Sequence, residues 1–533
     1  MRFTRDYTLP RRNNLHKAVF IALCLMMILP VGALASNVGT DLTIGIISTK
    51  TTEIYPLQPQ ERDLTSLYGL VYESLITIDD DYRPKGLLCE RWEAPTGTGK
   101  TWTFFLRSGV TFSDGTPLTA NDVVATVQYI LDFANDEANT DKGYYGNLRY
   151  FIDSIRADDD QTIVIKAARG YYGLLYALTF PILPADRIQM PNPPGTGPYV
   201  ISVFKPQDYM WLTTNDFWWR QKPQVQEIMA TFHTSSKEII ESYEYARVDA
   251  VFTRSMAAAQ YKSGTASLRL DYRSRQLETL LINNSQSSFP LDSVKVRKAV
   301  RYAIDVNKIA SQVYMDMVSR TDTPMVNGNW LYSDTPGAYT YDVGKAKALL
   351  EEEGWKDLDG DGFLNKVVDG KVRNLHLQMY VYEDSDNNVR VEAANMMKDM
   401  LAQVGIEVKV NTDTFDEVTS RLSAGSYDLA LVAYQMDSVP DPGFMLMSNN
   451  TGNYCRYKSE EMTSLCKELR TKNTPDAFAQ TLAAIQQKFA QDVPFICLFY
   501  RKGAILTHRM YTTARDVREM ELLRGIEDFS IKP

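Results

Sequence analysis

Residues 102–130 read WTFFLRSGVTFSDGTPLTANDVVATVQYI, and this stretch decides the fold. Trp102, Phe104 and Leu106 alternate with Thr103, Phe105 and Arg107, the period of a strand with one buried face. Ser108-Gly109 breaks the alternation. Val110 and Phe112 predict a second short strand, and Asp114-Gly115 is a tight-turn pair. Thr119 predicts a helix N-cap, with Asp122 complementing the free amides of the first turn. Val123, Val124, Val127 and Ile130 then recur at helical spacing. No grouping in the stretch is catalytic; its information is architectural.

The chain around it has 533 residues, 44% hydrophobic and 23% charged. That is a globular composition with material for a large core, and the length predicts two to four domains. The net charge is −9, and residues 1–35 carry Arg2, Arg5, Arg11, Arg12 and Lys17 against Asp6 alone. The remainder is therefore more acidic than the whole. This argues against nucleic acid or an anionic membrane surface as the main partner. An apolar run from Ala18 to Leu29 precedes Pro30, Gly32 and Ala33-Leu34-Ala35. It reads as a secretory signal cleaved after Ala35, because it falls short of the ~20 residues of a membrane span. Arg11-Arg12 gives a faint twin-arginine pattern. Cys24 follows Leu23, where lipid attachment requires a small residue, so no lipobox is seen. An exported protein is expected, periplasmic or at the outer face of the cytoplasmic membrane.

Cys89, Cys455, Cys466 and Cys497 follow the signal. Export permits disulfides, three complete pairings are open, and buried free thiols are the alternative. No CxxC occurs, and His233, His376 and His508 are far apart, which argues against a zinc site from local ligands. Strands are predicted at Leu42–Ile47, Val200–Phe204, Tyr209–Thr213, Leu375–Tyr380, Ile406–Val410, Leu429–Ala433 and Ile496–Tyr500. Helices are predicted at 64–75, 294–303, 309–318, 343–353, 389–404, 416–422 and 478–490, with Asp384, Ser385 or Asp386 capping the fifth and Gly405 ending it. From 375 to 433 the order strand-helix-strand-helix-strand marks a mostly parallel sheet. Pro193-Pro194-Gly195-Thr196-Gly197-Pro198-Tyr199 is a dense turn cluster, read as a crossing between domains.

Several ordered blocks resemble one family: the large extracytoplasmic solute-binding proteins of ABC-type peptide and nickel importers, family 5. The opening stretch resembles its signature. Val71-Tyr72-Glu73-Ser74-Leu75, the run Pro84–Trp92 and Gly195-Thr196-Gly197-Pro198-Tyr199 resemble further blocks, with Cys89 where alanine is usual. So do Asn215-Asp216-Phe217-Trp218, Val296-Arg297-Lys298-Ala299-Val300-Arg301-Tyr302-Ala303-Ile304-Asp305, Tyr427-Asp428 and Pro440-Asp441-Pro442.

The resemblance implies an α/β, bilobed periplasmic-binding-protein-like fold of the large cluster C type, with an extra inserted domain. After the signal at 1–35, domain I would comprise 36–79, 190–285 and 505–533. Domain II would be the insertion 80–189, and domain III the second lobe, 286–504. Lobes of this kind close on a ligand by hinge motion. In peptide-binding members the ligand lies extended, bonded through its backbone, with its ammonium on an aspartate of domain III.

The family's late motif has an aromatic, an acid three residues on, and then an Asp-Pro. It places Asp437 as that acid, with Tyr434 where tryptophan is usual and Asp441-Pro442 after it. Ala433 and Gln435 would then offer backbone groups to a peptide; the plain alternative for Asp437 is an exposed loop acid. Arg421 is a candidate for a ligand carboxylate, or else a solvated helix charge. Gln58, Gln60 and Glu61 fall in the loop bordering the family's cleft. Trp330 would line a side-chain pocket or simply pack. Arg297 and Asp305 read as structural, capping their neighbours. Asp357, Asp359 and Asp361 look like a calcium loop, but Val368 replaces the bidentate glutamate at its twelfth position, which favours a structural turn.

No Gly-x-Ser-x-Gly, phosphate loop or His-Glu-x-x-His occurs, and no carboxylate pair is singled out for glycoside hydrolysis. The function expected is therefore not an enzyme's. It is capture of a solute, an oligopeptide first, for delivery to an ABC permease and its ATPase subunits. A nickel complex, an oligosaccharide or an opine-like solute is the runner-up, and a peptide receptor without transport is the alternative from another class. No cofactor and a monomeric chain are expected.

Overall fold

The computed structural model describes residues 41–532 except 60, 98, 140–141, 266, 286–287, 334–338, 384–387, 509 and 513–516. The signal segment, Gln60 and the cap candidates Asp384, Ser385 and Asp386 lie outside the described residues. No described helix is long and apolar enough to cross a membrane.

An eleven-stranded sheet runs through the molecule. Its strands are β1 (Asp41–Ile47), β2 (Tyr199–Lys205), β3 (Tyr209–Thr214), β4 (Glu227–His233), β5 (Ala250–Thr253), β6 (Leu268–Ile282), β7 (Val318–Arg320), β8 (His376–Tyr382), β9 (Glu407–Asp413), β10 (Leu429–Gln435) and β11 (Phe495–Thr507). The order is β9-β8-β10-β6-β11-β5-β1-β4-β3-β2, with β7 also paired to β11. The stretch read as strand-helix-strand-helix-strand forms the parallel set: β8 is parallel to both β9 and β10.

Two long antiparallel strands, β6 and β11, join the halves. Leu268–Arg273 pairs with Lys502–Thr507, and Leu277–Leu281 pairs with Phe495–Tyr500. Between these ladders the register shifts, from Arg273 to Leu277. This bulge is the waist of the sheet, where local twist increases and pairing lapses. The strand predicted at Ile496–Tyr500 continues through Arg501-Lys502-Gly503 to Thr507. Gly503 makes this possible: a Cβ there would stand 2.3 Å from the ring of Tyr272, which is packed over it. Alternate residues of β6 feed different cores. Leu277 and Leu281 join one apolar cluster; Leu280 and Ile282 join a second, on the side of the helices Val294–Ala303 and Val389–Ala402.

The opening stretch sits in a separate four-stranded sheet with Cys89–Glu93, Ile152–Ala157 and Thr162–Ala167. Its strand is Thr101–Leu106, with Trp102, Phe104 and Leu106 buried as the alternation requires. The second strand predicted at Val110 and Phe112 does not form; only the isolated bridge Thr111–Pro117 is present. The tight turn is the reason. Phe112 bonds to Thr116 and Leu118 to Val110, so the loop satisfies itself around Asp114-Gly115. Asp122 accepts from both the amide and the hydroxyl of Thr119, at 2.8 and 2.9 Å, which starts the helix Ala120–Asn135.

The resemblance blocks, distant in sequence, converge on one knot. The amide of Gly197 bonds to the Val71 carbonyl and that of Ser113 to the Gly195 carbonyl. Asn215 Nδ2 donates to the Gly197 carbonyl at 2.8 Å. The buried carboxylate of Glu73 accepts from the indoles of Trp219, at 2.8 Å, and Trp218, at 3.4 Å. Burial raises its pKa, opposed by those indoles and by Arg220. Arg297 is buried and donates to the carbonyls of Leu291, Asp292, Asp492 and Val493, so it caps the C-terminus of helix Pro475–Asp492. The helix expected at 309–318 is instead Val306–Gln312. Asp305 caps it, accepting from the Lys308 amide at 3.0 Å, and the positive φ of Met315 and Asp316 turns the chain into β7.

Candidate functional site

Parallel strands set the site. β8, β9 and β10 end at Tyr382, Asp413 and Gln435; β1, β4 and β5 end at Ile47, His233 and Thr253. Ligands of open α/β sheets bind beyond such carboxyl ends. The two sets meet where the helix Arg62–Val71, which follows β1, begins. Arg62 Nη2 donates to Gln435 Oε1 at 3.3 Å.

β10 leaves part of one edge uncovered. On one side β6 pairs with it from Leu429 to Gln435. On the other, β8 covers only Leu429–Leu431. Met436 donates its amide to the Arg275 carbonyl at 2.9 Å, so Tyr434 and Val432 face β6 as well. By alternation, the amides and carbonyls of Ala433 and Gln435 point to the other edge. Among the described residues no strand pairs with that edge beyond Leu431.

Asp437 stands exposed at the end of this edge. One carboxylate oxygen accepts the Ser438 amide at 2.6 Å; the other accepts Asn147 Nδ2 at 3.1 Å. The neighbouring carboxylates already hold guanidiniums: Asp63 with Arg254 at 2.7 Å, Glu519 with Arg62 at 2.8 Å, Asp441 with Arg470 at 2.7 Å. No described arginine or lysine pairs with Asp437. Its charge is unspent.

Tyr144 is 45% exposed, an aromatic ring facing open space. Its hydroxyl donates to Met520 Sδ at 3.0 Å. Burial raises its pKa, the guanidiniums of Arg275 and Arg62 lower it, and the carboxylates of Glu519 and Asp437 raise it further. Two cations and two anions thus act on one phenol. Glu519 is buried and also accepts the Arg275 amide at 2.6 Å, which holds the C-terminal segment against the bulge of β6.

The other expected residues divide. Tyr434 turns its side chain inward: its hydroxyl donates to the Gly452 carbonyl at 2.8 Å, its ring meets Phe444, Tyr454 and Phe495, and burial raises its pKa. Trp330 donates its indole N–H to the Tyr82 carbonyl at 3.1 Å and packs edge-on against Tyr172, a bridging contact with the inserted segment. Arg421 is paired with Asp413 at 2.9 Å and lies over the Tyr380 ring, so its charge is largely engaged. Gln60 lies outside the described residues. Gln58 donates to the Tyr129 hydroxyl at 3.0 Å. Glu61 gathers the amides of Thr49, Lys50 and Thr51. Burial raises its pKa, and these hydrogen bonds with those of Ser48 and Thr51 outweigh it, giving a net lowering. It shapes the loop after β1.

Arg62, Tyr144, Asn147, Arg275 and Glu519 were missed. Arg62 and Glu519 are 457 residues apart, and nothing local in either neighbourhood marks the pair. The Asp357, Asp359 and Asp361 carboxylates come within 4.8 Å of one another, exposed. Asp357 accepts the Gly360 and Gly362 amides, and Asp361 that of Phe363, the bonds of a turn. All four described cysteines are free and buried.

The model of the bacterial extracellular solute-binding proteins, family 5 (middle region), matches residues 83–454. The oligopeptide-binding protein AppA of Bacillus subtilis is 24% identical over 486 residues, covering 87% of this chain and 86% of AppA. The AppA structure in complex with a nonapeptide matches with a TM-score of 0.65 at 23% identity, over 93% of this chain and 99% of that one. NikZ from Campylobacter jejuni in complex with Ni(L-His) matches with a TM-score of 0.69 at 20% identity, over 92% and 100%. Architectures this similar hold a peptide and a metal complex, so the fold does not select the ligand. The blocks that converge on Glu73 and Gly195 are thus marks of shared scaffold, and this chain belongs to the bacterial extracellular solute-binding proteins of family 5, the solute-capturing components of ABC importers, and is not an enzyme.

Proposed function

We propose that the solute is an oligopeptide, held extended against the open edge of β10 with its ammonium at Asp437. The observation that carries this reading is the unspent carboxylate at the end of an uncovered strand edge. Backbone bonding to Ala433 and Gln435 makes capture tolerant of side chains. The ammonium pairs with Asp437 in a closed, poorly hydrated cleft, where a charged hydrogen bond is strong. The lobes on either side are domains I and II (36–79, 190–285 and 505–533, with 80–189) and domain III (286–504), flexing at the bulge of β6. The mature chain begins after Ala35 and works as a monomer with its permease.

The test uses a randomised pentapeptide library and its N-acetylated counterpart, with binding read by native mass spectrometry. Asp437→Asn is expected to weaken the free-amine library by about 10–100-fold, the worth of a hydrogen bond between charged groups, and to leave the acetylated one unchanged. Equal effects on both libraries would falsify the ammonium role. If neither library binds wild type, or the protein as purified carries a sugar or a metal complex, the peptide reading fails.

A further inference from the structure

We infer that Asn147 is a positioning residue for ammonium recognition, completing the orientation of the Asp437 carboxylate by holding its second oxygen when the two lobes meet. The inference rests on the peptide reading above and deepens it. Asp437 lies at the end of β10. Asn147 lies 290 residues away, on the short turn Gly146–Tyr150 of the inserted segment. Their bond, 3.1 Å from Nδ2 to Oδ2, ties that turn to the end of β10, and the domain division proposed above puts the two on opposite sides of the cleft. A carboxylate can only accept here, so chemistry fixes which end of the Asn147 amide faces it.

The turn that presents Asn147 is built to hold still. Leu148 is buried at 3% exposure beside it, and the amides of Gly146, Leu148 and Phe151 all bond within the turn, at 3.0, 2.9 and 2.9 Å. A Cβ at Gly146 would stand 3.4 Å from Ala134, which shows how closely the turn lies on helix Ala120–Asn135. Asn147 itself is exposed, so its side chain contributes nothing to that packing.

The choice of an amide matters chemically. Three nearby acids, Asp63, Asp441 and Glu519, are each held by an arginine, which orients the carboxylate and cancels its charge. An amide orients without cancelling. Asp437 is fixed by the Ser438 amide and hydroxyl on one oxygen and the Asn147 amide on the other, all uncharged donors, and stays available as the acid of that group that no described guanidinium holds. A second bond crosses the cleft close by, from Arg62 to Gln435 at 3.3 Å. The two bonds bracket Met436, so the end of β10 is gripped from both sides as the lobes meet. Pre-organising a charged acceptor this way lowers the ordering cost of binding.

The experiment measures both libraries against wild type, Asn147→Ala, Asp437→Asn and the double variant, with thermal midpoints alongside. Asn147→Ala is expected to cut the preference for free-amine over acetylated peptides by about 10-fold, the lower end of the worth of a hydrogen bond to a charged group, and to leave the midpoint unchanged. In the Asp437→Asn background it is expected to add nothing, because the two residues act as a unit. The inference is overturned on its own if Asp437→Asn abolishes the preference while Asn147→Ala leaves it intact. It is equally overturned if Asn147→Ala weakens both libraries alike, which is the mark of plain lobe packing. If Asp437→Asn leaves the preference intact, the ammonium reading itself falls and takes the inference with it.

Discussion

Glu278→Gln is expected to destabilise the protein by about 3–5 kcal/mol, the cost of removing one partner from a buried charge group. Glu278 and Arg390 are both fully buried, and their side chains meet in two bonds, 2.8 Å to Nη2 and 3.2 Å to Nε. Arg501 Nε lies 2.6 Å from the same carboxylate. One anion thus holds two guanidiniums, between positions that pair with Ala433 of β10 and Phe499 of β11. A glutamine removes the carboxylate that both guanidiniums share and leaves a neutral amide between them. Replacing all three by apolar residues of similar size is expected to recover most of the loss, since the desolvation cost of the ions disappears with them.

The pH dependence follows from the same geometry. Burial pushes the Glu278 pKa up, but Arg501 and Arg390 outweigh it, and the net shift is downward. A carboxyl whose folded pKa is depressed contributes stability above its unfolded pKa and loses it as pH falls through the folded value. The gap between wild type and Glu278→Gln is therefore full at neutral pH and shrinks below about pH 4. Denaturant midpoints at several pH values measure it. A gap that is constant with pH would rule out the charge as its source.

Gly195→Ala is the second large effect. The added Cβ would lie 1.9 Å from the Val71 carbonyl oxygen and 2.7 Å from its carbon. Those are backbone atoms at the end of helix Arg62–Val71, and no rotamer relieves them. The same oxygen accepts the Gly197 amide at 2.9 Å, so moving it breaks the knot that joins the turn cluster to the helix. A loss on the order of 4 kcal/mol is expected, at the upper end for overpacking. Gly69 is the control, in the same helix. A Cβ there meets nothing within 4 Å, and the residue is exposed. Gly69→Ala is expected to stabilise by about 0.5–1 kcal/mol, through helix propensity and a less flexible unfolded chain. Opposite signs in one denaturation series would separate close packing from glycine's entropy.

Elements with strong local pattern were legible. The helix Val294–Ala303 is found as predicted, and β8, β9 and β10 run two or three residues beyond their predicted ends. Misses arose where a distant neighbour decides. β11 continues through Arg501-Lys502-Gly503 because Tyr272 fills the space a side chain would need. Tyr434, placed by its motif beside the ligand, is drawn inward by Phe444, Tyr454 and Phe495 and bonds to Gly452.

The sequence alone determined the scaffold. Alternation in residues 102–106, the Asp-Gly turn, the Thr119–Asp122 start and the glycines of 195–197 act over a few residues or against invariant backbone, so they can be read along the chain. It also singled out Asp437. The tertiary structure alone decided what surrounds that acid. Whether a carboxylate is already matched by a guanidinium depends on where cations from other segments come to rest: Arg62 beside Glu519, Arg254 beside Asp63, and the uncharged Asn147 amide beside Asp437. Electrostatic pairing falls off within a few ångströms in space and takes no account of separation along the chain. The uncovered edge at Ala433 and Gln435 has the same origin, since it exists because β8 stops at a register no single strand encodes.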